Sequence, residues 1–303
     1  MQDGSKKAII AAFAANLGIA IAKFIGFLFT RSTGMLAESV HSLADTGNQG
    51  LLLLGSKKSQ KEASVKHPFG YGRERYFWAF SVALVIFSLG GAFAFYEGLD
   101  KIIHPHEPKY FGVGVGILLF SIALESFSFT TAIREANHLR GSAKFVQFIR
   151  HAKTPELPVV LLEDAGALIG LVLALGGLIM AEVTGNARWD AVGSLSIGIL
   201  LIAIAIFLSI EMKSLLIGEA ASSEQEEAIA TAINGSPEVK RLIHMRTMHL
   251  GPDELLLGTK IHFDDRLTIA ELAVAINGVE ARIRAAVPSA RVIYVEPDII
   301  RPL

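Results

Sequence analysis

Six long apolar blocks occupy the first two thirds of this 303-residue chain, and they restrict what it can fold into. Each block is about 20 residues long, the length that a helix needs to cross a hydrocarbon core of about 30 Å. In lipid, only a helix or a closed barrel satisfies its own backbone hydrogen bonds. The blocks therefore predict an α-helical membrane protein with six transmembrane helices, near Ala8–Phe29, Met35–Ser56, Phe77–Leu99, Phe111–Ile133, Val159–Glu182 and Ala191–Ile210.

The composition agrees with a membrane protein, since 51% of the residues are hydrophobic and 19% are charged. The formal net charge of −1 gives no reason to expect a nucleic-acid partner. The chain has no cysteine, so any metal chemistry must use His, Asp and Glu. The N-terminal residues lead into an apolar segment without a small-residue cleavage site, so we expect no removable signal peptide.

The loops between the blocks predict the orientation in the membrane, because short cytoplasmic loops carry the excess of Lys and Arg. The connections after the second and fourth blocks hold six and five basic residues, whereas the other three connections hold four in all. We therefore expect a multi-pass protein of the cell inner membrane with both chain ends in the cytoplasm.

After the sixth block the sequence changes to the pattern of a small α+β domain. Alternating apolar residues predict three strands, at Val239–Leu250, Leu255–Phe263 and Arg291–Val295. Two capping boxes predict where helices begin, one within the run SSEQE at residues 222–226, which has the Ser-to-Gln/Glu spacing, and one at Thr268 with Glu271. The predicted organisation is a six-helix transmembrane domain over residues 1–211 and an α-β-β-α-β cytoplasmic domain over residues 212–303.

Ionisable side chains lie within the apolar blocks, where each costs about 2.5–3.5 kcal/mol on insertion scales unless it has a partner or a function. The second block contains Glu38, His41 and Asp45. His41 and Asp45 are four residues apart, which places an imidazole and a carboxylate on one helix face, where both can bind a single cation. The alternative is a hydrogen-bonded pair that holds the helix in register.

The ionisable residues of the other blocks each leave more than one interpretation open. Asp164 either binds a cation or is stabilised by the N-terminal end of its helix. Glu163 points about 100° away from Asp164, so both reach one ion only after a local adjustment, and Glu163 otherwise faces a basic loop. Glu125 is suited to a buried hydrogen bond, to proton transfer or to ligation, and Lys23 to a salt bridge with any of these acids.

Two motifs, one in the second block and one in the loop after it, are specific enough to indicate a family. They are GMLAESVHSLAD at residues 34–45 and HPFGYGR at residues 67–73. Both resemble the cation diffusion facilitators, a family of homodimeric metal-ion/proton antiporters. Glu163-Asp164 and LLIGEA at residues 215–220 are similar to the branch that includes zinc transporter nine. The resemblance implies a six-helix membrane domain, a ferredoxin-like cytoplasmic domain at the dimer interface, and a transport site shared by the second and fifth helices.

In the metal site that the resemblance implies, His41 and Asp45 come from the second helix and Asp164 from the fifth. The family commonly has His or Asp four residues before that aspartate, whereas this chain has Val160, which cannot bind a metal. Glu163 is then the first candidate for the missing ligand, followed by Glu125 and water.

The resemblance also implies two features of the cytoplasmic part. Arg73 takes the place of a basic residue that locks the loop to the start of the cytoplasmic domain, where Glu219 is the candidate partner. His262 and Glu296 match metal positions of the family's cytoplasmic domain. His244 and His249 lie nearby on the first predicted strand, so a rearranged metal site that includes His262, Glu296 and His249 is a further candidate.

The sequence therefore predicts a transporter rather than an enzyme, with no cofactor and with the bilayer, divalent cations, protons and a second copy of the chain as partners. The predicted activity is zinc export from the cytoplasm by proton antiport, since a metal ion binds only deprotonated ligands. Mn²⁺, Fe²⁺ and Co²⁺ are alternative substrates because they accept the same ligands. A metal-responsive membrane sensor or scaffold without flux is the competing hypothesis. The absence of HExxH, GxSxG and P-loop motifs argues against an intramembrane hydrolase.

Overall fold

Each predicted apolar block lies within one helix of the computed structural model, which describes residues 3–105, 110–140 and 152–299. The prediction of six long helices is therefore confirmed. The helices are α1 (Asp3–Thr30), α2 (Thr33–Ser59), α3 (Glu74–Ile103), α4 (Phe111–Arg140), α5 (Glu156–Thr184) and α6 (Arg188–Ile217). Helix α3 is continuous but has π-helical hydrogen bonding at Val82–Phe87, between the α-helical parts Glu74–Ser81 and Ser88–Ile103.

Helix α2 differs from its neighbours because its central part is polar. Helices α3 to α6 contain stretches that are long and apolar enough to cross a membrane, and the described apolar stretch of α1, Asn16–Thr30, is shorter. The charged and amide side chains of α2 lower its hydropathy, and they are buried against other helices instead of facing lipid, as functional polar groups in membranes usually are. They are Glu38, His41, Asp45, Asn48 and Gln49.

Glycines bring the backbones of these helices close together. A Cβ atom added to Gly198 of α6 would lie 2.6 Å from the backbone nitrogen of Phe95 in α3. A Cβ atom added to Gly177 of α5 would lie 2.9 Å from the backbone oxygen of Trp189 in α6. A larger residue at either position would push the helices apart, which supports a packing role for the abundant glycines of the apolar blocks.

The predicted α-β-β-α-β order is observed in the C-terminal part of the chain. Its elements are α7 (Ser223–Asn234), β1 (Val239–Gly251), β2 (Glu254–Phe263), α8 (Ile269–Ala286) and β3 (Ala290–Pro297). The strands form one sheet in the order β1-β2-β3, in which β2 is antiparallel to β1 and parallel to β3. Apolar side chains of β2 pack with α7 and α8 to form its core, which includes Ile233, Leu257, Ile261, Val279 and Ile283.

Both predicted capping boxes are present and begin the two helices of this part. The Ser222 hydroxyl accepts a hydrogen bond from the Gln225 amide at 3.2 Å, and the Gln225 side chain accepts one from the Ser222 amide. Thr268 and Glu271 form the same reciprocal pair at the start of α8. Each box satisfies backbone donors that a helix N-terminus otherwise leaves unpaired.

The structure divides into two compact units, Met1–Lys57 with Phe77–Lys213, and Lys58–Tyr76 with Ser214–Leu303. The loop between α2 and α3 thus belongs to the second unit. Within that unit Gly72 approaches the β1–β2 turn so closely that an added Cβ atom would lie 2.7 Å from the Leu250 carbonyl oxygen. The predicted domain boundary between residues 211 and 212 stays a prediction.

Candidate metal centre

Helix α2 places three buried polar side chains in a row. His41, Asp45 and Asn48 follow one another at spacings of four and three residues, so they share one helix face. The Nδ1 atom of His41 lies 3.5 Å from Oδ1 of Asp45. All three side chains are shielded from solvent, with exposed fractions of 1%, 3% and 0%. The structure thus has the imidazole–carboxylate pair on one face that the spacing predicts.

Several buried polar atoms in this region make no hydrogen bond to any described residue. Leaving a buried polar group unpaired costs about 1–3 kcal/mol, and such groups are rare in native proteins. Their concentration makes this region the candidate site for a polar ligand. The atoms are Oε1 of Glu38, Nε2 of His41, Oδ1 of Asp45, Oε1 of Gln49, both amide atoms of Asn48 and both carboxylate oxygens of Glu163, and the last two groups interact with each other outside ordinary hydrogen-bond geometry.

Helices α4 and α5 contribute three buried acids around this row. Glu125, Glu163 and Asp164 are exposed by 4%, 2% and 4%. Asp164 accepts a hydrogen bond from the Ser128 hydroxyl of α4 at 3.1 Å. The charges of Glu125 and Asp164 act on Asp45, and those of Asp45 and Asp164 act on Glu163. The predicted acids of α2, α4 and α5 are therefore within electrostatic reach of one another.

These residues do not form a complete ligand set in this conformation. No group of three or more His, Asp or Glu side chains in the described part of the chain is close enough together to hold a metal ion. The structure brings His41 and Asp45 together and places Glu125, Glu163 and Asp164 nearby. Val160 is one turn before Asp164 on α5, so its position adds no donor. Ligation by two helices therefore needs a movement of side chains or of a helix.

A buried lysine of α1 lies beside the same face of α2. The Lys23 ammonium is 3.2 Å from Oε2 of Glu38 and donates a hydrogen bond to the Ser42 hydroxyl at 2.6 Å. The prediction that Lys23 pairs with an acid is confirmed, with Glu38 as the partner. The other Glu38 oxygen, Oε1, faces Gly170 of α5 so closely that an added Cβ atom would overlap it. Because Glu38 is paired with Lys23, it is not counted among the candidate metal ligands.

A second buried charge pair, which the sequence analysis did not single out, joins α2, α3 and α6. Asp190 is fully buried, and its Oδ2 lies 2.7 Å from the ammonium of Lys101. Its carboxylate also accepts hydrogen bonds from the Ser32 hydroxyl at 2.7 Å and from the Thr33 amide and hydroxyl at 3.0 Å. In the sequence, Lys101 follows the third apolar block and Asp190 precedes the sixth, so the two opposite charges lie at the same predicted face of the membrane.

The three candidate ligands of the C-terminal part have other neighbours. Nε2 of His262 lies 3.0 Å from Oδ1 of Asp265. The hydrogen bonds from Lys240 and His262 hold the pKa of Asp265 below its usual range, which favours the charged carboxylate. Oε1 of Glu296 lies 2.9 Å from the ammonium of Lys260. His262 and Glu296 are thus held by different partners.

The strand register separates His249 from His262. His249 is opposite Leu255, and His262 lies seven residues further along β2. At about 3.3 Å per residue this is about 23 Å, too far for one ion to contact both side chains. The predicted grouping of His249, His262 and Glu296 into one metal site is therefore wrong within a single chain. The reason is that a sequence pattern gives the strands but not their register.

Arg73 lies against the segment that contains its predicted partner. Its Nη2 atom is 3.2 Å from the sulfur of Met248 and 3.4 Å from the position of an added Cβ atom on Gly218. Glu219 follows directly, and its carbonyl oxygen accepts a hydrogen bond from the His249 amide at 2.9 Å. A direct pair between Arg73 and Glu219 stays a prediction.

A bundle of six long helices with buried ionisable residues, followed by a small α+β domain, defines a multi-pass membrane protein with a polar intramembrane site. The family model described as the cation efflux transmembrane domain matches residues 9–217. The chain belongs to this cation efflux family, as the resemblance to the cation diffusion facilitators predicts.

Three relatives show where the chain stands within the family. It is 30% identical over 269 residues to the proton-coupled zinc antiporter SLC30A9 of Mus musculus, covering 87% of this chain and 47% of the mouse protein. It is 28% identical over 269 residues to metal tolerance protein C4 of Arabidopsis thaliana, covering 88% and 58%. It is 25% identical over 299 residues to the cation-efflux pump FieF of Klebsiella pneumoniae, covering 98% and 94%.

The chain thus spans about half the length of the mouse relative. The similarity confirms the predicted branch of the family, which includes zinc transporter nine. The orientation of the chain ends and the inner-membrane location stay predictions.

Proposed function

We propose that this protein transports divalent metal cations across a membrane in exchange for protons, with Zn²⁺ exported from the cytoplasm as its activity. The observation that supports the proposal most strongly is the row of buried donors on α2, in which Nε2 of His41 and Oδ1 of Asp45 make no hydrogen bond to the described residues. An imidazole nitrogen and carboxylate oxygens are ligands that Zn²⁺ accepts when no thiolate is present. The proposal makes the protein a transporter rather than an enzyme.

The proposed binding site combines α2 with α5. His41 and Asp45 provide ligands from α2, and Asp164 provides one from α5. Glu163 is the first substitute for the donor that is missing at Val160, because both of its oxygens are buried and, in the described part of the structure, have no partner in ordinary hydrogen-bond geometry. Glu125 of α4 is close enough to act on Asp45 and serves as a proton acceptor or as a further ligand.

Competition between metal and protons couples the two fluxes in this proposal. A metal ion binds only the deprotonated forms of His and carboxylate, so its entry releases protons, and protons that enter from the other side release the metal. Several acids within electrostatic reach of one another favour a bound cation, because either a metal ion or protons offset their mutual repulsion. One site that opens alternately to the two membrane faces is then sufficient for antiport.

The incomplete ligand set supports coupling between binding and a conformational change. In this conformation the described residues do not bring three ionisable donors to one point. A metal ion should bind more tightly to a conformation in which donors of α5 reach His41 and Asp45 than to the conformation described here. This difference in affinity is what allows metal binding to shift the conformational equilibrium. The proposed homodimer rests on the family resemblance.

The ligand chemistry leaves the choice of metal to experiment. The one His41 nitrogen with surrounding carboxylates suits Zn²⁺ and also Mn²⁺, Fe²⁺ and Co²⁺. Zn²⁺ is proposed first because two of the relatives compared above carry cation efflux or zinc antiport in their names.

Reconstitution in lipid vesicles tests the proposal. Vesicles with a Zn²⁺ indicator and a pH dye inside should show Zn²⁺ uptake together with loss of internal protons for the unmodified protein. Asp45→Asn should abolish both signals. The matched control is Glu182→Gln, which removes an exposed acid near the end of α5 and should leave both unchanged. Undiminished uptake by Asp45→Asn would refute the proposed site, and metal binding without flux by the unmodified protein would favour the sensor instead.

A further inference from the structure

Asn48 is a polar side chain of α2 to which the family motif assigns no role. It lies three residues after Asp45 and seven after His41, so all three side chains share one helix face. Its side chain is fully buried. Among the described residues its amide oxygen has no hydrogen-bond partner, and its amide nitrogen interacts with the Glu163 carboxylate of α5 outside ordinary hydrogen-bond geometry.

A purely structural role does not account for this placement. A buried amide that fixes helix packing does so through hydrogen bonds, and each unpaired amide atom costs about 1–3 kcal/mol. Thr46 of the same helix shows the ordinary situation, since its buried hydroxyl donates to the Ser42 carbonyl oxygen at 2.9 Å. The Asn48 amide oxygen therefore has acceptor capacity that the described part of the protein does not use.

The Asn48 side chain faces the helix that supplies the other candidate ligands. It interacts with the Glu163 carboxylate on α5, whose two oxygens are buried and have no partner among the described residues in ordinary hydrogen-bond geometry. Asn48 thus shares a helix face with the α2 pair and interacts with Glu163. Glu163 is the first substitute for the donor missing at Val160, so Asn48 lies beside the proposed replacement ligand.

We propose that the amide oxygen of Asn48 is a ligand of the transported ion and that it extends the accepted metals from Zn²⁺ to Mn²⁺. This inference rests on the proposed function and adds a ligand and a selectivity to its site. An amide oxygen is a neutral, hard donor of the kind that Mn²⁺ prefers, and with the surrounding carboxylates it makes the site rich in oxygen. Because the amide carries no titratable proton, its coordination to the metal does not change the number of protons exchanged.

Metal binding to the purified full-length protein in detergent tests this inference. Titration calorimetry with Mn²⁺ alone and with Zn²⁺ alone gives both affinities without requiring flux. Asn48→Leu has nearly the same size but no oxygen, and it should weaken Mn²⁺ binding by about tenfold or more, the usual cost of losing a supporting group at a metal site. Zn²⁺ binding should change by less than about threefold, because His41 and the carboxylates remain.

Two further variants complete the test. Asn48→Asp keeps an oxygen at the same place and adds a charge, so it should bind Mn²⁺ at least as tightly as the unmodified protein. Thr46→Val removes a buried polar group from the opposite side of α2, where the hydroxyl is already satisfied, and should change neither affinity. The elution profile and thermal melting of each variant show whether it is folded.

The outcomes distinguish a failure of the proposed Asn48 ligand from a failure of the proposed transport function. Unchanged Mn²⁺ binding in folded Asn48→Leu, or an equal loss in Thr46→Val, would overturn the role of Asn48 and leave transport untouched. If Asn48→Leu does not fold, weakened Mn²⁺ binding by Asn48→Asp would overturn that role instead. An unmodified protein that binds neither metal would contradict the proposed function itself.

Discussion

Replacing Asp190 with alanine removes the centre of a buried polar cluster and should destabilise the membrane domain strongly. The Asp190 carboxylate is fully buried and contacts three residues: Lys101, Ser32 and Thr33. The contacts come from the start of α2, the end of α3 and the start of α6, so this one side chain connects three helices.

The structure gives the expected size of the effect. Removing one partner of a buried ion pair leaves an uncompensated charge and costs about 3–5 kcal/mol. Loss of the hydrogen bond to the Thr33 amide, at the N-terminus of α2, adds about 1 kcal/mol. Single polar contacts between membrane helices average only about 0.6 kcal/mol, so the unpaired Lys101 charge accounts for most of the loss. Asp190→Ala should therefore lower the free energy of unfolding by about 4–6 kcal/mol.

A double-mutant cycle separates the ion pair from the other contacts. Lys101→Met leaves Asp190 unpaired and should also be destabilising, whereas the double variant leaves neither charge unpaired and should recover part of the loss. The free energy of unfolding can be measured by titrating the detergent-solubilised full-length protein with a denaturing detergent. A single variant within about 0.5 kcal/mol of the unmodified protein, or losses that simply add in the double variant, would show that the pair is not coupled as the structure implies.

Three further predictions follow from other parts of the structure. Lys23→Met leaves the buried Glu38 carboxylate without its ammonium and should lower thermal stability, and adding Glu38→Gln should restore part of it; no recovery would contradict the pairing. The hydrogen bond from the Thr268 amide holds the pKa of Glu271 below its usual range. The Glu271 carboxylate therefore stabilises the helix fully above the ordinary carboxyl pKa, and this stabilisation is lost as the pH falls through the lowered pKa of the folded protein. Protection of the amides at the start of α8 from hydrogen exchange should be lost over that pH range, and in Glu271→Ala it should be absent even at neutral pH. The same pH dependence of protection in the unmodified protein and in Glu271→Ala would exclude the capping box as its cause. Val160→His adds the donor that the family commonly has and should tighten Zn²⁺ binding by about tenfold in calorimetry; unchanged affinity would show that this position does not face the ion.

The elements that the sequence predicts well are those with a strong local cause. A bilayer requires helices of about 20 residues, so six apolar blocks were sufficient to predict six helices. Capping boxes are also local, and those at Ser222 and Thr268 are both observed. The motif around His41 and Asp45 indicated the family and placed the two side chains on one helix face, as the structure has them.

The features that the sequence left open depend on residues far apart in the chain. Asp190 contacts Ser32 across 158 positions, and no local pattern predicts that pair. The register of β1 on β2, which separates His249 from His262, is likewise set by packing rather than by the alternation that predicts each strand. Asn48 was not among the predicted site residues because an amide within a helix carries no signal until its neighbours show that its oxygen has no partner among the described residues.

The most direct measurement is Zn²⁺ uptake by reconstituted vesicles as a function of an imposed proton gradient. With the interior acidic, uptake should be fast and accompanied by alkalinisation of the interior, because metal and protons compete for Asp45 and its neighbours. An ionophore that exchanges protons for potassium should slow uptake into the same vesicles, because only the Zn²⁺ gradient then drives the exchange. Uptake that continues at the same rate after the gradient is collapsed, without any pH change, would contradict proton antiport.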